Sequence, residues 1–148
     1  MKAWTIDEAL NFEKRKDPFG ALGIGKRQLI KDWLDEMSVK NYKINDDLSI
    51  DLYQNPYLDH TFLNIFPDYI QFNNVFASFF CGENELVSLR GCPLYVKGNF
   101  SCSHNYLKTL EFCPKKVDGV FWCNDNASKF TKEYVRGLCK VKTDFILV

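Results

Sequence analysis

The chain has 148 residues, enough for one domain with its own core and too few for a large second one. Hydrophobic residues make up 46% and charged residues 26%, which excludes wholesale disorder. Nineteen Lys+Arg balance nineteen Asp+Glu, so the chain as a whole is not built to grip phosphates, although a local basic patch stays open. No apolar run approaches the ~20 residues of a membrane helix, and Asp7 and Glu8 stand where a signal peptide needs an apolar stretch. A cytoplasmic protein is therefore expected.

In chain order, Thr5-Ile6-Asp7-Glu8 has the spacing of a helix capping box, and Asp17-Pro18 with Gly20, Gly23 and Gly25 would end that helix. Gly20 to Lys26 fits the glycine and lysine spacing of a phosphate-binding loop. Arg27 occupies the place of the magnesium-holding Ser or Thr, and no strand precedes it, so a turn between two helices is the reading adopted. A second helix from about Lys26 to Met37 would put Leu29, Ile30, Trp33, Leu34 and Met37 on one face. Residues 1–47 thus form a helical cap.

From about Leu48 the cysteines set the reading. Cys81, Cys92, Cys102, Cys113 and Cys123 are spaced 11, 10, 11 and 10, a 21-residue period sampled twice. Val75/Val96/Val117, Phe79/Phe100/Phe121, Cys81/Cys102/Cys123, Asn84/Asn105/Asn126 and Ala77/Gly98/Gly119 recur at the same period, as do Leu86/Leu107, Leu89/Leu110, Cys92/Cys113 and Pro93/Pro114. Phe100-Ser101-Cys102 alternates as a strand with one buried face does, and identical strands one period apart stack as a parallel ladder at ~4.8 Å. The expected fold is an α/β solenoid of about five coils over residues 48–148, joined to the helical cap in one compact unit.

Imperfect copies flank the three regular units. Ile50 to Asn55 matches the Phe-x-Cys-x-x-Asn segment 29 residues before Asn84, which implies an eight-residue insertion in between. Val141 and Phe145 repeat Val117 and Phe121 after 24 residues, with Leu147 in the cysteine column. Thr131 to Tyr134 begins a short helix before that last strand.

Phe100-x-Cys102-x-x-Asn105-x-Leu107-x-x-Leu110 resembles the conserved segment of a leucine-rich repeat. The fuller unit, Leu-x-x-Leu-x-x-Cys-Pro-x-x-Val-x-Gly-x-Phe-x-Cys-x-x-Asn, is similar to repeats in small proteins of large tailed bacteriophages. Thr5-Ile6-x-Glu8-Ala9, Asn11-Phe12-Glu13, Asp17-Pro18 and Gly23-Ile24-Gly25 resemble the same group. The pattern departs from the leucine-rich one at Val96, one residue early, and after Asn126, where Ala127-Ser128-Lys129-Phe130 replaces Leu-x-x-Leu. The resemblance implies a phage-encoded protein acting in the host cytoplasm on a bacterial host protein, for example by inhibiting a defence factor.

Catalytic chemistry finds no support. His104 lies between Cys102 and Asn105, yet the neighbouring units carry Glu83 and Asp125 in its column, so it reads as a variable turn position and not as a catalytic or metal ligand. The cysteines read as small buried hydrophobes, not disulfides or zinc ligands. No enzyme, cofactor or metal is expected. With Phe79, Phe100, Phe121 and Phe145 inward, the residues around them face outward, and Phe76, Phe80, Asn99, Ser101, Val120, Trp122, Asp144 and Ile146 are the expected partner-binding residues. The alternative is that residues 56–74 or the N-terminal helices fold over this face. Two further partnerships are weighed: a homo-oligomer through Val141–Val148, and nucleic acid on Lys14, Arg15, Lys16, Lys26 and Arg27, which the balanced charge disfavours.

Overall fold

Repetition at 21 residues demands that each unit hand its backbone hydrogen bonds to the next, and the computed structural model, which describes residues 21–148 and side chains from Gly25 on, shows how this is met. The chain winds as a parallel-strand β-solenoid of about five coils behind one N-terminal helix. Helix α1 spans Ala21–Glu36 and α2 spans Lys132–Leu138. The strands are β1 (Tyr42–Ile44), β2 (Ile50–Leu52), β3 (Phe72–Val75), β4 (Phe79–Phe80), β5 (Tyr95–Val96), β6 (Phe100–Ser101), β7 (Lys116–Val117), β8 (Phe121–Trp122), β9 (Lys140–Val141) and β10 (Ile146–Leu147). They form a six-stranded sheet in the order β1-β2-β3-β5-β7-β9 and a four-stranded sheet in the order β4-β6-β8-β10. All pairs are parallel except the β1–β2 hairpin.

Each coil places a branched residue inward from the first sheet and a large one from the second. Leu52, Val75, Val96, Val117 and Val141 stack in register across the six-stranded sheet. Phe79, Phe100 and Phe121 form the opposite spine, with ring centroids 6.2 and 5.1 Å apart. Burying each ring stabilises the stack by ~1.5–3 kcal/mol before chain entropy is counted. The spine continues toward the N-terminus through Phe72, 5.1 Å from Phe79, and through Phe66 to Trp33 of α1. Ile30, Trp33 and Leu34 are the buried face of α1, which closes the core; Leu29, expected on that face, is half exposed.

The asparagine column ties coils together. Asn105 Nδ2 donates to the carbonyls of Cys81, Cys102 and Ser103 at 3.1, 3.0 and 3.3 Å, and its Oδ1 accepts from Leu86 N–H at 2.9 Å. Asn126 and Asn84 do the same one coil to either side. One side chain thus satisfies buried groups of two coils at a bend where no ladder can. A second ladder runs up the corner between the sheets. Asn55 Oδ1 accepts from Ser78 N–H at 2.8 Å, Ser78 Oγ from Asn99 N–H at 2.9 Å, and Asn99 Oδ1 from Val120 N–H at 2.9 Å. Beside it Gly98 N–H donates to Ala77 O, and Gly119 N–H to Gly98 O, both at 2.9 Å. A Cβ on Gly119 would sit 2.6 Å from the Gly98 carbonyl oxygen, so close coil approach explains these glycines.

Several sequence expectations change. The first helix falls outside the described residues. Gly23 and Gly25 lie inside α1, so the glycine-rich stretch is helix there and not a turn or a phosphate loop. Ile50–Leu52 joins the valine sheet, with Leu52 beside Val75, instead of the phenylalanine column. Residues 56–74 are no insertion: Tyr57 bridges Phe80 in parallel, Leu58 is fully buried beneath the cysteine column, and Thr61 N–H meets Asn84 Oδ1. They complete a coil of 23 residues, counted from Leu52 to Val75. At the far end Ile146, not Phe145, pairs with Phe121 and is 1% exposed, while Phe145 is 63% exposed. The unit there is one residue longer than the spacing of Phe121 and Phe145 suggests. Helix α2 begins where expected, with Thr131 capping it by accepting from Tyr134 N–H at 3.1 Å.

Candidate interaction surface

The outer face of the four-stranded sheet carries one side chain per coil: Tyr57, Phe80, Ser101, Trp122 and Leu147. Phe80 and Trp122 are two coils apart, yet their ring centroids approach to 6.4 Å at 40°. They meet because the coil between them supplies only Ser101, whose small side chain lets both rings lean inward. The result is an apolar strip, continued by Tyr57 at one end and by Phe145 and Leu147 at the other, all exposed. Phe80 and Trp122 themselves are half-buried. Among the described residues no segment folds over the strip, and residues 56–74 extend the same ladder instead.

The other expected contact residues divide. Phe76 is exposed but lies on the six-stranded sheet, stacked on Tyr53 with centroids 5.3 Å apart. The Asn99 amide oxygen is spent on the corner ladder, and Val120 sits half-buried beside it. Asp144 is exposed and held by Arg136 through Nε at 2.8 Å and Nη2 at 3.1 Å, which lowers its pKa. Ile146 is in the core and leaves the set, since the one-residue shift turns it inward. Tyr57, Tyr53 and Leu147 were not singled out from the sequence as surface contacts. The signal for Tyr57 was a 23-residue offset to Phe80, hidden by a search at 21.

Around the turn, Glu83, His104 and Asp125 stack in one column with positive φ of 51–56°. His104 Nε2 lies 3.7 Å from Glu83 and 3.4 Å from Asp125. An open groove of about 390 Å³ runs over them, bordered by Phe62 and Tyr106. Among the described residues no group of three or more His, Cys, Asp and Glu side chains is arranged to hold a metal ion. The six cysteines are free and buried. Their two columns meet in the core, where the Cys92 thiol contacts Cys81. Burial pushes the thiol of Cys113 up to about 11 and those of Cys123 and Cys139 up to about 12, so none of these three is a ready nucleophile at neutral pH. Lys14, Arg15 and Lys16 lie outside the described residues. Arg27 is turned to the chain, donating to the Ile44 and Asn45 carbonyls. No helix among the described residues is long and apolar enough to cross a membrane. Comparison with known proteins finds no matching family model, no matching curated protein and no matching solved structure.

Proposed function

We propose that this protein is a non-enzymatic protein-binding module, leucine-rich-repeat-like and phage-encoded, that binds and modulates or inhibits a host bacterial protein such as a defence factor. The observation that carries this reading is the Phe80–Trp122 pair closing over Ser101 on a stacked scaffold, with Tyr57, Phe145 and Leu147 extending the strip. Aromatic anchors presented by a rigid surface are the usual make-up of an interface centre, and repeat scaffolds present such faces for binding. The repeat's likeness to those of small phage proteins supports the choice of a host target.

The test is a pull-down from bacterial lysate, wild type beside Phe80→Ala/Trp122→Ala, with thermal melting of both to show that the variant folds. A partner held by the wild type and lost by the folded variant supports the reading; identical captures overturn the site. A second reading, pairing between copies along β10, is favoured by the exposure of Phe145, Leu147 and Val148. Light scattering tests it, since a strictly monomeric mass up to high concentration excludes it.

A further inference from the structure

The six-stranded sheet carries a charge pattern that its folding does not require. Its outer face is aromatic over the first coils, with Tyr53, Phe76 and Tyr95, and cationic over the last, with Lys97, Lys115, Lys116, Lys140 and Lys142, all five exposed. Lys116 and Lys140 are register partners on neighbouring strands, ~4.8 Å apart along the ladder. Like charges in that position oppose strand pairing. The acids nearby offset only part of this charge. Asp118 forms an ion pair with Lys116 at 3.6 Å, accepts from Tyr95 Oη at 2.7 Å and is also acted on by Lys142, and Glu111 borders a rim groove with Lys115, so two acids stand against five lysines. Lysines that merely keep an edge strand from pairing are needed only at the edges, β1 and β9, whereas Lys97, Lys115 and Lys116 belong to inner coils.

We infer that this face is a docking surface for an acidic polypeptide segment. Charge complementarity names an anionic occupant, and the rings decide which kind. Nucleic acid bound beside lysines needs free aromatic faces on which bases stack. Here Tyr53 and Phe76 lie nearly parallel, 16° apart, and cover each other, and the Tyr95 face is taken by the Lys116 ammonium at 5.4 Å. Each of the stacked rings thus gives one face to its neighbour, which leaves less ring face for a base than for a carboxylate seeking the lysines. An extended acidic strand places alternate side chains ~6.8 Å apart, within reach of flexible lysines on successive coils. This surface is separate from the Phe80–Trp122 strip, and its test leaves that strip untouched, so either proposal fails alone.

The experiment is fluorescence anisotropy of a labelled deca-glutamate peptide titrated with the full chain, with deca-thymidylate as the competing probe. Glutamate binding that weakens as salt rises to about 0.15 M is expected. The Lys97→Gln/Lys140→Gln/Lys142→Gln variant should bind about tenfold more weakly, the combined effect of three surface ion pairs. A control with the same charge change on exposed residues away from this sheet, Lys31→Gln/Lys108→Gln/Lys129→Gln, should keep its affinity. Absent binding, equal loss in both variants, or tighter binding of thymidylate overturns the inference. Lys140→Gln alone should leave Tm unchanged or raise it by about 1–3 °C through relief of repulsion. A fall of several degrees would show that this lysine serves the fold and would overturn the inference as well.

Discussion

Replacing Asn105 by Ala removes a side chain of the core bend that makes four hydrogen bonds. Three carbonyls lose a donor, and Leu86 N–H loses its 2.9 Å acceptor in a site only 4% exposed. An orphaned buried N–H costs ~1–3 kcal/mol, and each carbonyl that loses a bond adds ~0.5–1.5 kcal/mol unless it finds another donor. With partial relaxation the expected loss is about 3–5 kcal/mol, a large share of a domain's stability. At ~2–4 °C per kcal/mol the melting point falls by roughly 10 °C. Urea titration followed by circular dichroism measures it as a lower midpoint at unchanged slope. Asn105→Asp separates hydrogen bonding from packing, because it keeps the shape but points a charged acceptor at three carbonyls. Its carboxyl is raised in the folded state, so the variant is most stable when protonated and loses stability as pH rises above ~4. A loss below ~1 kcal/mol for Asn105→Ala would refute the view that this column ties the coils together.

Three more expectations follow from particular contacts. Gly119→Ala forces a Cβ to 2.6 Å from a backbone oxygen and should destabilise by more than ~1 kcal/mol, whereas Gly137→Ala, in α2 with nothing within 4 Å, should stabilise by ~0.5–1 kcal/mol; denaturant midpoints decide both. Ile146→Ala should cost ~2–4 kcal/mol and Phe145→Ala under ~0.5 kcal/mol, and the reverse order would restore the 24-residue register. The thiols of Cys113, Cys123 and Cys139 stay protonated in the folded chain while those of the unfolded chain ionise near pH 9, so folding stability should fall as pH rises from about 9 toward 12. Thiol reagents at pH 8 should modify the unfolded chain far faster than the native one, and equal rates would contradict the burial.

The period was legible in the sequence because a ladder reads each residue against its own counterpart one coil away, so valine, phenylalanine, cysteine and asparagine recur in register. The ends were misread for physical reasons. Phe145-Ile146-Leu147-Val148 is apolar throughout and offers no alternation, so only the backbone path, bent at Asp144 with φ 54°, decides that Ile146 turns inward. Asn55 matched the asparagine column by identity but belongs to the corner ladder beneath Ser78. In residues 56–74 Leu58 takes the place of a cysteine and Thr61 that of an asparagine, substitutions that keep the apolar burial or the hydrogen bond while erasing the pattern. Phe80 and Trp122 were legible as outward residues. Their contact over Ser101 was not, since it depends on what the intervening coil leaves out.

The corner ladder also governs how such an array changes length. Its bonds run one way, each acceptor side chain serving the N–H of the following coil. Duplicating residues 97–117 would insert a second Asn99 and leave every corner N–H served. Duplicating 118–141 would ask Val120, which has no acceptor, to serve another copy of itself. The permitted duplication carries a penalty on the surface, because two serines would then separate Phe80 from Trp122, with backbones ~14 Å apart instead of ~10 Å. The corner therefore admits one duplication and refuses the other, and the one it admits would pull the outer aromatic pair apart.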